Sequence, residues 1–224
     1  LTEEARISRR QRWWTAPEYR EHLTPGTLQL LQFEAEATAI RAYQPVLVPG
    51  VVQTPAHAEF VLNWWDRSLT ETQRRVRLKV RSERRRQVIE SDDGPEYFLI
   101  LDESVPKREI GGSEVMAEQL EALLVFAQKP RVRIRIIPFQ EGAMIGMLGA
   151  FMVINLSDDD PDDAVLYTEA SGRDNIVHDT AEVQMHRRTF EALWHRSLDE
   201  DQSLQLIDLE ARSLRMRVGR SRRR

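Results

Sequence analysis

Cysteine is absent, which excludes disulfides, thiolate metal sites and a cysteine nucleophile. No apolar run approaches the roughly 20 residues that a membrane-spanning helix needs. The first residues, Leu1 to Arg6, lack the basic-then-apolar layout of a secretory leader. Lysine is scarce, with only Lys79, Lys107 and Lys129 among 32 basic residues. A net basic excess is missing too, since the formal charge is −4. A domain that neutralises nucleic-acid phosphates usually concentrates such an excess on one face. Here the basic residues cluster locally, at Arg6 to Arg12, Arg74 to Arg86 and Arg215 to Arg224, while Asp158 to Asp163 is acidic. These absences predict a cytoplasmic chain with no membrane contact and no sequence-specific DNA reading of its own.

What is present suits a globular core: 224 residues, 41% hydrophobic and 30% charged, are enough for one large domain. Leu30, Phe33, Ala37 and Ile40 share one stripe, which predicts a helix from Gly26 to Ile40. Pro45 and Pro49-Gly50 end it in a loop, and Thr54-Pro55 opens the next helix, to about Trp65. A long arginine-rich helix follows, from Thr70 to about Glu90. Tyr97 to Leu101 is a short buried strand that ends at Asp102-Glu103. Gly111-Gly112-Ser113 precedes an amphipathic helix, and Arg131 to Ile136 alternates as a half-buried strand with one wet face. Strands at 150–155 and 164–169 flank the acidic loop, and helices at about 181–198 and 201–217 close the chain. The expected class is α+β, with helices flanking a small, mainly antiparallel sheet. The expected division is a connector or remnant at 1–24, one binding domain at 25–215 and a basic tail at 216–224.

No catalytic constellation is visible. His22, His57, His178, His186 and His195 form no His-Glu-x-x-His pattern, and no carboxylate pair completes a ligand set. There is no Gly-x-Ser-x-Gly elbow. Gly111-Gly112-Ser113 reads as a helix start, with an anion on its free amides as the alternative. The acidic loop lacks the Gly and terminal Glu of a calcium loop. Gly142, Gly146 and Gly149 read as turn residues, not a phosphate cradle. Asp102-Glu103 at a strand end is the most enzyme-like pair, set against a helix-capping acid with a solvated neighbour. Trp13-Trp14 and Trp64-Trp65 read as core rings or interface anchors, with a ligand wall as the alternative. No catalytic residue, metal or cofactor is expected.

One run stands out, from Leu31 through Glu34, Tyr43, Pro45, Pro49-Gly50 and Gln53-Thr54 to Pro55. An acidic helix, then Tyr-x-Pro, then Pro-Gly-x-x-Gln-Thr resembles the effector domain of unknown function that follows an Xre-type helix-turn-helix in actinobacterial, antitoxin-like transcriptional regulators. Further matches come in the same order: Arg86-Gln87, Leu101-Asp102-Glu103, Gly111-Gly112, Gln119-Leu120, Ile137-Pro138-Phe139, Gly149-Ala150-Phe151 and Tyr167-Thr168-Glu169. They cover about residues 13 to 207. The resemblance implies a regulatory domain that senses a small-molecule effector or binds a small toxin-like companion protein. It implies a homodimer, with DNA reached only through a helix-turn-helix head that would precede this chain. The binding residues it implies are Glu34, Tyr43, Pro49, Gly50, Gln53, Thr54, Arg86, Gln87, Asp102, Glu103, Phe151 and Glu169. The Pro49 to Thr54 loop also reads as a clasp between two helices. One position departs from the pattern: the family often has another Arg three residues before the Arg-Gln pair, and Glu83 stands there. The alternative function is a headless relative reused as an enzyme in a biosynthetic pathway.

Overall fold

Parallel strands can neighbour each other only if a crossover joins them, and this chain supplies two. In a computed structural model, residues 12–65, 67–141, 149–170 and 173–221 are described. The strands are β1 (Ala39–Gln44), β2 (Glu96–Asp102), β3 (Val132–Ile137), β4 (Phe151–Asn155), β5 (Ala164–Ala170) and β6 (Arg173–Val177). They form one sheet in the order β3-β2-β1-β4-β5-β6. β1, β2 and β3 run parallel, whereas β4, β5 and β6 are joined by antiparallel pairings. Among the described residues there are eight α-helices: α1 (Pro17–Arg20), α2 (Pro25–Glu36), α3 (Pro55–Trp65), α4 (Glu71–Arg85), α5 (Ser104–Lys107), α6 (Ser113–Phe126), α7 (Thr180–Arg196) and α8 (Glu200–Ser221). Helices α3 and α4 carry the chain from β1 to β2, and α5 and α6 carry it from β2 to β3.

The class is α+β, as expected, but the sheet is larger than expected and mixed, not mainly antiparallel. The difference begins at one boundary. Helix α2 stops at Glu36, Ala37 is already extended (φ −61°, ψ 139°), and β1 starts at Ala39. The expected helix to Ile40 is therefore cut short. Once β1 is taken for helix, the β-α-β unit that makes β2 parallel to it disappears.

Most strands are buried on both faces, which explains their near-continuous apolar runs. On one face, Ile40, Ala42, Leu99, Ile134, Ile136 and Ile154 pack with Met116, Leu120 and Leu123 of α6 and with Ile207, Ala211 and Leu214 of α8. On the other, Tyr43, Ile100, Phe151, Val153 and Leu166 meet Val183, Phe190 and Leu193 of α7. This second layer covers part of the expected wet face of β3, whose arginines stay partly exposed. The Arg133 guanidinium lies 5.1 Å from the Phe98 ring centre, and that of Arg135 lies 4.3 Å from that of Trp194. Arg135 also pairs with Glu200 at 2.9 Å. The outer edge of β3 is occupied at its end: the Leu198 amide donates to the Ile136 carbonyl at 2.9 Å. The Ile136 amide donates to Ser203 Oγ, also at 2.9 Å.

A smaller cluster joins Trp14, Tyr19, Leu31, Ala35, Val76 and Val80. Trp13 makes an edge contact with Trp14 at 5.6 Å. Both rings thus belong to intramolecular packing, while Trp64 is 67% exposed. The side chain of Trp65 lies outside the described residues.

Helix α2 starts where the sheet requires it. Thr24 caps it, accepting from the Thr27 amide at 3.1 Å, and Pro25 opens it. A Cβ on Gly26 would lie 2.5 Å from Cβ of Asp174 on β6, so only glycine permits this approach. Gly26→Ala should gain about 1 kcal/mol in helix propensity. It should lose more through the forced displacement, about 1–3 kcal/mol, for a small net destabilisation. Urea unfolding measures the sign, and a stabilised variant would show that α2 and β6 are not held this closely.

Candidate functional site

Helix α4 is arginine-rich and mostly wet, yet one of its stripes is not. Thr70 and Gln73 form a capping box at its start. Val76 and Val80 are buried, and Arg84, one further helical step along, continues their stripe inward. Its guanidinium meets Glu34 of α2 in a fork, Nε donating to Oε2 at 2.8 Å and Nη2 to Oε1 at 2.6 Å. The two side chains are 14% and 3% exposed. Burial pulls Arg84 down, but the attraction and hydrogen bonds of Glu34 outweigh it and hold Arg84 above its ordinary range.

Arg81 stands one turn earlier and is held differently. Its Nε donates to Oε1 of Gln53 at 3.2 Å, and its Nη1 donates to the Arg77 carbonyl at 3.3 Å. Among the described residues it makes no carboxylate ion pair. Burial, and then the neighbouring Arg84, pull it down to about 10. The loop before α3 clasps these arginines. The Gln53 amide donates to the Val48 carbonyl at 2.8 Å, and Arg85 donates to the Gln53 carbonyl at 3.0 Å. Pro49 is buried beside Gly50, whose Cβ position would lie 3.5 Å from Arg81 Nε and 3.6 Å from Arg84 Nη1. Thr54 caps α3, and its amide donates to Gln119 at 2.7 Å.

The sheet supplies the floor. Tyr97 of β2 is fully buried, and its hydroxyl has no hydrogen-bond partner among the described residues. Burial and then Glu34 raise its phenol. Tyr167 of β5 donates to Asp174 Oδ1 at 2.6 Å, while Thr24 and Thr27 donate to Oδ2 at 2.8 Å each. Burial opposes ionisation of Asp174, but these hydrogen bonds hold it below its ordinary range. Glu169 sits at the exposed rim. Lost solvation and then Asp174 raise its carboxyl, against the pull of Arg81 and Arg84.

Of the residues that the sequence singles out, Glu34, Pro49, Gly50, Gln53 and Glu169 converge here, and Thr54 flanks them. The others do not. Tyr43 and Phe151 pair at 5.7 Å under α7, with His186 at 5.1 Å from Phe151. Asp102 accepts from the Ser104 amide at 2.8 Å, and Glu103 accepts from Lys107 at 2.5 Å and from the Phe139 amide at 2.8 Å. Arg86 pairs with Glu83 at 2.6 Å on the outside of the turn that holds Gln87. At the glycine pair before α6, the Gly112 amide donates to the Glu109 carbonyl at 3.0 Å, and the Glu109 carboxylate holds Ser113. An anion is disfavoured there. Gly142 and Gly146 lie outside the described residues.

Sequence reasoning missed Arg81, Arg84, Tyr97, Tyr167 and Asp174. The available signal was the Val76, Val80, Arg84 spacing. Among the described residues, no group of three or more His, Asp or Glu could hold a metal ion, and no helix is long and apolar enough to cross a membrane.

One family model, described as a domain of unknown function (DUF5753), matches residues 27–209. Comparison with curated proteins and with solved structures gives no match.

Proposed function

The chain belongs to the DUF5753 family, and from that premise we propose that it is the effector domain of an Xre-type, antitoxin-like transcriptional regulator of the actinobacterial kind. Its task in this reading is to bind, sensing a small ligand or holding a small companion protein, and DNA is read by a helix-turn-helix head in a dimer. The observation that supports it most is the convergence of Glu34, Gly50, Gln53 and Glu169 with Arg81 and Arg84 between α2, α4 and the sheet. These groups are hydrogen-bonding and charge-bearing, which suits recognition. Acid-base or nucleophilic catalysis asks instead for a nucleophile within reach of a base that a third group orients. Among the described residues the histidines supply no such set: His57 is buried without a partner on either ring nitrogen, and His186 Nδ1 lies 3.0 Å from the Glu182 carbonyl.

The test is an operator footprint. The gene product that carries the helix-turn-helix is expected to protect paired half-sites as a dimer. The present chain alone should leave no footprint at physiological salt, because its basic segments give only salt-sensitive attraction. A footprint by this chain alone, or substrate turnover by it, would overturn the proposal.

A further inference from the structure

We infer that the cluster of Arg81, Arg84 and Tyr97 receives the oxyanion group of a small molecule, a carboxylate or a phosphate; this deepens the effector reading above and rests on it. The hydrogen bonding of the arginines is the first support. Glu34 gives both its oxygens to Arg84. Among the described residues Arg81 donates to neutral acceptors only, the Gln53 amide oxygen and the Arg77 carbonyl. Asp174 accepts from Tyr167, Thr24 and Thr27 instead. Glu169 at the rim attracts Arg81 without a hydrogen bond to it, and lost solvation raises its carboxyl. A guanidinium so enclosed is stabilised by an anion that brings paired oxygens to its fork.

The second support is independent of charge. The Tyr97 hydroxyl is fully buried and donates to nothing among the described residues. Its ring is close enough to Glu34 and Arg84 to feel both charges. Buried hydroxyls are normally hydrogen-bonded, and an exception calls for a partner. An anion seated at Arg81 and Arg84 would accept that bond. Gly50 fits the same picture, because any side chain longer than a methyl there would lie across the two guanidinium groups. The site is roofed by the Pro49 to Thr54 loop and floored by the sheet, which suits a small molecule and not a nucleic-acid backbone.

The purified chain should be heated with inorganic phosphate or with succinate, at constant ionic strength against chloride. At a hundredfold excess over Kd, one of the two should raise the melting temperature by about 5 °C, saturably. Which one does so separates the two sources of the oxyanion. Arg81→Gln should weaken binding by at least about tenfold, and Arg81→Lys should restore part of it. Tyr97→Phe should also weaken binding, while the free protein melts no lower than before. If Arg81→Gln fails to fold, Tyr97→Phe still carries the test. No shift beyond chloride with either anion, or a full shift retained in the folded variants, would overturn the inference. The regulator reading would survive that result, since it falls only with the footprint.

Discussion

Glu34→Gln is expected to cost about 3–5 kcal/mol of stability, because it leaves the Arg84 guanidinium buried without its counter-charge. For a chain of this size, that lowers the melting temperature on the order of 10 °C. Arg84→Met should cost a similar amount by stranding Glu34. The pair need not be worth that much in itself, since taking two charges out of water offsets most of their attraction. The double variant Glu34→Leu with Arg84→Met should therefore recover most of the loss. Urea unfolding of these proteins, with Glu34→Leu alone added, closes the cycle. Single variants that each lose less than about 1 kcal/mol would mean that water reaches this ion pair.

A pH effect of comparable size is expected from His57. Its side chain is fully buried on α3, neither ring nitrogen has a partner among the described residues, and burial pulls it to about 4. The unfolded chain protonates its histidines near 6.5. As pH falls below that value, the unfolded state takes up a proton that the folded state refuses, so stability drops. The contribution is complete above about pH 6.5, declines toward pH 4 and changes little below it. Its full size is about 3 kcal/mol. Carboxylates held low, such as Glu200 and Asp174, respond at lower pH and do not fill this window. His57→Leu keeps the volume and should flatten the decline between pH 7.5 and pH 5. If both proteins lose stability equally over that interval, the burden lies on another group.

The sequence was most legible where local chemistry decides. The start of α4 beside Thr70, the Thr54 cap of α3, the alternation of β3 and the acidic turn between β4 and β5 stand where they were expected. It was least legible at Ala37 to Gln44. Ala35, Glu36, Ala37 and Ala39 favour helix, and nothing nearby opposes it. What stops the helix is distant. The Thr38 amide donates to the Asn155 carbonyl, and the Glu96 amide donates to the Thr38 carbonyl, each at 2.9 Å. These partners belong to segments far along the chain, and no window of local sequence contains them. Burial on both faces then hides β1, since Ile40 and Ala42 face one layer while Tyr43 faces the other.

The site divided along the same line. Glu34, Gly50, Gln53 and Glu169 could be named because a family resemblance marks their positions. Arg81 and Arg84 were lost among the many arginines of a helix that looks solvated all round. Tyr97 was hidden inside an apolar strand, where a tyrosine is usually only a large ring. Its importance lies in an unbonded hydroxyl, which is a property of its surroundings and not of its neighbours in sequence.

The end of β3 has a bearing on behaviour in crowded solution. An open sheet offers two borders to which a strand of another molecule could add, and such additions seed aggregates. At Ile136 both outward backbone groups are already spent, on Leu198 and Ser203. An incoming strand would have to displace the start of α8 before it could lengthen the sheet on that side. The opposite border, β6, is short and carries Asp174 and Asn175, a poor template for apolar pairing. The molecule is thus guarded against stacking edge to edge by a hydroxyl and an amide at one end and by polar side chains at the other.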